Sequence, residues 1–157
     1  MRSTYDRALD LLALRGRSVA ELRQKLLRKG EAAEAVDEAI TRLIDQKLLD
    51  DADFARQFAR GRVLGSGASR RRISAELARK GVSRGVAEQA IEELGDAEGI
   101  DLSGAIHRVA AKKWRALANL DDVTRRRRLY AFLARRGFTP DEIRKALRAL
   151  TVEIPEE

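Results

Sequence analysis

Leucine, isoleucine, valine and alanine recur at spacings of three and four along nearly the whole chain of 157 residues, in nine stretches separated by charged positions. Such a pattern predicts nine amphipathic helices, each with one apolar stripe. Several stretches open on a capping residue. Ser18-Val19-Ala20-Glu21 predicts a capping box, in which the serine hydroxyl accepts from a free backbone N–H and the glutamate three residues on reaches back. Thr139-Pro140-Asp141-Glu142 repeats it with proline at the first helical position, where its missing N–H costs nothing. Three stretches close on a glycine behind a basic pair: Arg28-Lys29-Gly30, Arg79-Lys80-Gly81 and Arg135-Arg136-Gly137. Glycine takes the left-handed conformation that ends a helix, and cations suit the negative end of the dipole. Strand-like alternation of β-branched and aromatic residues is absent, and the only prolines are Pro140 and Pro155. The predicted fold class is all-α.

The three glycines also expose an internal repeat. Aligned on them, the positions eight before are Leu22, Ile73 and Leu129, and those four before are Leu26, Leu77 and Leu133. Ten after come Ile40, Ile91 and Leu147, and thirteen after come Leu43, Leu94 and Leu150. All twelve are Leu or Ile. A recurring unit of about fifty residues predicts a modular array of three tandem three-helix repeats, nine helices in an elongated arrangement. The predicted boundaries are 1–49, 50–95 and 96–157, the last including a linker and a short tail. Within each repeat the second and third helices form a hairpin. The first helix closes it through Leu11 and Leu12, Phe54 and Phe58, or Ile106 and Val109. Gly95-Asp96-Ala97-Glu98-Gly99-Ile100-Asp101 reads as the linker and as a candidate hinge.

Composition adds a partner to this picture. Lys and Arg number 32 against 25 Asp and Glu, a formal charge of +7, while 44% of the chain is hydrophobic. That is enough apolar content for a core and too much for a disordered polyelectrolyte. The sequence pI near 10.2 points to a polyanionic partner, nucleic acid or an acidic protein surface. Without cysteine there is no disulfide framework, no thiolate nucleophile and no Cys-ligated metal. A cytoplasmic protein is expected, since no apolar run approaches the ~18 residues of a membrane span and Met1 to Asp6 precede no signal-type apolar run.

The inventory for catalysis is poor. His107 is the single histidine, without a second histidine or cysteine to form a triad or metal cluster, and reads as a surface or interface residue. Gly61 to Gly67 is glycine-rich but lacks the Lys-Ser/Thr of a phosphate-binding loop, and reads as an inter-helix turn. Asp50, Asp51 and Asp53 read as an N-cap and first-turn acids rather than as cation ligands. No catalytic residue, metal or cofactor is expected. Trp114, between Lys113 and Arg115, reads as a partly buried core residue.

The charge excess is mostly C-terminal: +1 over residues 1–50, +1 over 51–100 and +5 over 101–157. Arg70-Arg71-Arg72 and Arg125-Arg126-Arg127-Arg128 both fall at the predicted start of the second helix of their repeat. Cations there oppose the macrodipole by ~0.3 to 1 kcal/mol each. Helix stability alone does not account for them, so these arginines, with Lys112 and Lys113, are the candidate partner- or DNA-binding residues. The third helices of the first two repeats carry Glu34, Asp37 and Glu38, and Glu88, Glu92 and Glu93. Acidic helices are unsuited to a phosphate-lined groove, which argues against sequence-specific operator reading.

Four motifs in order carry a family resemblance. They are Ala8-x-x-Leu11-Leu12-Ala13-x-Arg15-x-Arg17-Ser18-x-x-Glu21-Leu22, Leu48-Leu49-Asp50-Asp51-x-x-Phe54-Ala55, Arg72-Ile73-x-x-Glu76-Leu77-x-x-Lys80-Gly81-Val82, and Leu133-x-Arg135-Arg136-Gly137-Phe138. Over residues 5 to 150 the chain resembles the bacterial RecX regulatory family. The resemblance implies three tandem three-helix units and a non-enzymatic modulator of the RecA recombinase in DNA repair. Such a protein binds the RecA filament on DNA and inhibits ATP hydrolysis and strand exchange, with no catalytic residues to carry over. The expected partners are the RecA filament and, without sequence specificity, single- or double-stranded DNA, the protein itself being monomeric. The alternative is a general basic DNA-binding protein that acts independently of RecA.

Overall fold

A computed structural model describes residues 1–97 and 104–152. Nine helices follow one another among the described residues: α1 (Thr4–Leu14), α2 (Val19–Arg28), α3 (Ala33–Asp45), α4 (Asp51–Ser66), α5 (Arg70–Arg79), α6 (Arg84–Ala97), α7 (Ala105–Ala116), α8 (Asp122–Arg135) and α9 (Pro140–Val152). The all-α expectation holds. The chain groups into two compact units, residues 1–59 with 74–93, and residues 60–73 with the chain from 94 onward.

In the first unit α1, α2 and α3 pack pairwise around a core that includes Leu11, Leu22, Leu26, Val36 and Leu43. Ser18 caps α2 by accepting from the Glu21 N–H at 3.1 Å. The other arm of the expected box is diverted: the Glu21 carboxylate is engaged by Arg15 at 2.7 Å and Lys80 at 3.8 Å. In α4 the fully buried positions are Ala55 and Ala59. Phe54 and Phe58, expected to close the second repeat, are half-buried and stack on each other at 6.0 Å.

In the second unit α7, α8 and α9 pack pairwise over Ile106, Ala110, Trp114, Leu129, Leu133 and Ile143. Ten of the twelve repeat positions are buried, none more than 6% exposed. The other two, Leu147 and Leu150, are partly buried against the same core. Burial of each such side chain contributes ~1.5–3 kcal/mol.

Gly30, Gly81 and Gly137 have φ of 89°, 79° and 91°. In each case the next residue's N–H reaches back across the turn, from Glu31 to Leu26 O, Val82 to Leu77 O and Phe138 to Leu133 O. This is the six-to-one bond of a Schellman cap.

The caps also form joints between helices. In the first unit the Ser18 hydroxyl, while capping α2, donates to Lys80 O at 2.5 Å, and a Cβ on Gly81 would lie 2.3 Å from Ala20 Cβ. In the second unit the Ser69 N–H donates to Arg136 O at 3.4 Å, and a Cβ on Gly137 would lie 2.6 Å from Ser69 Oγ. Ser18 and Ser69 each stand twelve residues before their own glycine, so one joint occurs twice. Both serines are buried, at 0% and 5% exposure.

Three boundaries differ from the sequence reading. Gly61 to Ser66, read as an inter-helix turn, are the last residues of α4, and only Gly67 lies beyond its end. Gly95, Asp96 and Ala97 are the last residues of α6 rather than linker, and the rest of the candidate hinge, Glu98 to Asp101, lies outside the described residues. Helix α8 starts at Asp122 with Asp121 as its N-cap, one turn before Arg125. The arginine quartet therefore occupies its fourth to seventh positions.

Candidate functional site

Charge separates by structural unit more sharply than by sequence segment. The first unit has 14 Lys and Arg against 15 Asp and Glu, and the second has 18 against 10. All nine candidate binding residues belong to the second unit. The structure gives them different environments.

Arg70 and Arg71 are exposed on the first turn of α5, behind the Ser69 cap whose hydroxyl accepts from the Arg72 N–H at 3.1 Å. They line a cavity of about 480 Å³ with His107, Phe138, Glu142 and Lys145. Arg72 turns away: its Nη1 donates to Arg135 O at 2.6 Å. A cation that opposes the dipole of α5 thus complements the carbonyl end of α8.

Arg125 behaves similarly. Its guanidinium lies 3.7 Å from the centre of the Trp114 ring, and its Nε and Nη2 donate to Trp114 O at 3.0 and 2.6 Å. Half-buried, it covers the carbonyl end of α7. Trp114 itself is 7% exposed, in agreement with a core role. Arg126 pairs with Asp122 one turn before it at 2.9 Å. The Thr124 backbone N–H, with the Arg127 charge as a lesser cause, holds the Asp121 carboxyl below the usual aspartate value. Acids at the N-cap and first turn offset the arginines that follow. Arg127 and Arg128 are exposed.

Lys112 is exposed on α7, and the Lys113 ammonium sits 4.8 Å over the Phe132 ring. Together with Arg108 and Arg136 they border a second cavity of about 390 Å³, open between α7, α8 and the end of α4. In the sequence Arg136 stands as a helix-ending cation and motif residue, and nothing singles out Arg108. No periodicity signals their convergence.

The acidic cluster is structural. Asp50 Oδ1 accepts from the N–H groups of Ala52 and Asp53 at 2.8 and 3.3 Å, and Asp51 Oδ1 accepts from Val19 N–H at 2.8 Å. Asp53 bonds Gln57 one turn on at 3.1 Å. No group of three or more His, Asp or Glu among the described residues is placed to hold a metal ion. His107 is exposed, and no helix of the described residues is long and apolar enough to cross a membrane.

Comparison with known proteins follows this architecture. Family models for the first, second and third three-helix domains of RecX match residues 5–43, 50–91 and 104–147. Regulatory protein RecX of Pelodictyon phaeoclathratiforme is 37% identical over 145 residues, covering 92% of this chain and 87% of the relative. Regulatory protein RecX of Amycolatopsis mediterranei is 40% identical over 129 residues, covering 82% and 72%. The crystal structure of RecX from Lactobacillus salivarius superimposes with a TM-score of 0.77 at 23% identity, over 95% of both chains. At that identity the last comparison speaks to the fold alone.

Proposed function

The chain belongs to the RecX family of regulatory proteins, whose members are non-enzymatic, and from that premise we propose that it binds the RecA filament on DNA and inhibits RecA's ATPase and strand-exchange activities. The match of all three domains in order carries this reading. The charge distribution supports it. A unit with 18 cations against 10 acids suits a filament that presents phosphate and carboxylate together. Arg70, Arg71, Arg126, Arg127, Arg128, Lys112 and Lys113 are the proposed contacts. Arg72 and Arg125, whose guanidinium groups reach backbone carbonyls of this chain, act as positioning residues. The proposed setting is the bacterial cytoplasm and the protein acts as a monomer.

The test is RecA's DNA-dependent ATPase with the protein titrated in. Inhibition at or below equimolar ratio is the expected result, and an unchanged rate at every ratio overturns the proposal.

The same charge excess favours a second reading, non-sequence-specific DNA binding independent of RecA. It predicts affinity for DNA alone that falls steeply with salt, with a log–log slope of about −0.9 per phosphate neutralised on duplex. Weak DNA binding without RecA at moderate salt counts against it.

A further inference from the structure

The cavity between α7, α8 and the end of α4 has a mixed chemistry that phosphate binding does not require. Its floor is apolar, from Val63, Val109 and the Phe132 ring, and its rim is cationic, from Lys112, Lys113 and Arg136. Leu64, at its edge, is 58% exposed. Gly67 builds the wall: its φ is 62°, and a Cβ there would lie 2.1 Å from Val109 Cγ2. Only glycine lets the end of α4 approach α7 this closely.

Two features select among occupants. The Phe132 ring carries the Lys113 ammonium 4.8 Å and the Arg136 guanidinium 4.5 Å from its centre. The ring is therefore a poor platform for stacking a base, which is how single strands use aromatics. It instead holds two cations beside an apolar pocket of about 390 Å³, within the size range of pockets that enclose a ligand group. A bulky apolar side chain flanked by carboxylates meets both demands. We propose that this groove docks an acidic peptide segment of a partner protein, its apolar residue on the Val63, Val109 and Phe132 floor and its carboxylates on Lys112, Lys113 and Arg136. This deepens the filament-regulator reading, on which it rests only for the partner's identity.

The probe is a fluorescein-labelled peptide with a central leucine-phenylalanine pair and two glutamates on each side, titrated with the full chain. Fluorescence anisotropy gives saturable binding that weakens at least tenfold in Lys112→Glu and in Lys113→Glu. Circular dichroism and an undisturbed melting profile confirm that each variant is folded. Replacing the leucine-phenylalanine pair by serines abolishes binding, and an oligothymidylate does not displace the peptide. Absence of binding overturns the proposal. So does equal binding of the serine peptide, or displacement by the oligothymidylate, which would assign the groove to charge alone. A change of sedimenting mass on Lys112→Glu would assign it to a second copy and overturns it too. No RecA is present, so these outcomes are independent of the ATPase test.

Discussion

Arg125 clamps the end of the helix before its own, stacking at 3.7 Å on the Trp114 ring while donating two hydrogen bonds to the Trp114 carbonyl. It belongs by sequence to a run of four arginines, yet three contacts hold it, half-buried, against the core residue Trp114.

Arg125→Ala removes a cation–π contact and charge-assisted bonds to a carbonyl. We expect a loss of about 2 kcal/mol in urea-induced unfolding. Arg127→Ala, at an exposed position, changes stability by no more than about 0.5 kcal/mol. Equal effects of the two would show that the Trp114 clamp carries no stability.

Replacing Arg126, Arg127 and Arg128 together by alanine leaves the fold and the Trp114 clamp in place. Filament binding weakens, and the salt dependence of any binding to duplex DNA becomes shallower by up to about 3 in log–log slope. Unchanged affinity at all salt concentrations would remove these residues from the contact surface.

The serine joint gives a pair of graded substitutions. Ser18→Ala removes the cap of α2 and leaves the part-buried Lys80 carbonyl without the Ser18 hydroxyl as donor, at a cost of about 1–3 kcal/mol. Gly81→Ala meets both a positive φ and the Ala20 methyl 2.3 Å from its Cβ, whereas at Gly30 nothing lies within 4 Å. Alanine at position 30 is expected to cost about 1–2 kcal/mol for the backbone alone, and at position 81 distinctly more. Equal melting temperatures of the two variants would show that the joint yields without cost.

Acid weakens the first unit through two glutamates. Burial pushes the Glu21 carboxyl up, but the Arg15 hydrogen bond and the Lys80 charge outweigh it, holding it below the ordinary 4.5. The Thr4 hydroxyl, with Arg7, holds Glu31 below the same value against burial. Because the folded values lie below the unfolded ones, their stabilisation is complete above about pH 4.5 and is lost as pH falls through the folded values. Unfolding midpoints followed from pH 7 to pH 3 should drop over that interval. Glu21→Gln should flatten the drop, and a profile identical to that of the parent would exclude Glu21 as a contributor.

What the sequence discloses here is mostly local. Glycine alignment locates three Schellman caps because φ, dipole and basic pairs act within one turn of chain. The Leu and Ile positions locate the core because helical periodicity is also local. The Ser18 bond to Lys80 spans 62 residues and leaves no trace in spacing. The environments of Arg72 and Arg125 are hidden for the same reason. Measured against their own helix these arginines face the wrong end of a dipole, but they reach the carbonyl ends of α8 and α7, which only the packed structure supplies. The groove bordered by Lys112, Lys113 and Arg136 assembles from three separate segments and has no linear pattern.

The serine joint has a polarity. Each joint sets the start of one repeat's second helix against the glycine end of the next repeat's, two unlike surfaces, and contacts of that kind do not close on themselves. Gly30 has open space beside it. At the other extreme, the position twelve before Gly137, where Ser18 and Ser69 stand in their repeats, is Arg125, folded onto its own tryptophan behind an added helical turn. Where the first two repeats carry a serine socket, the third carries an arginine clasp.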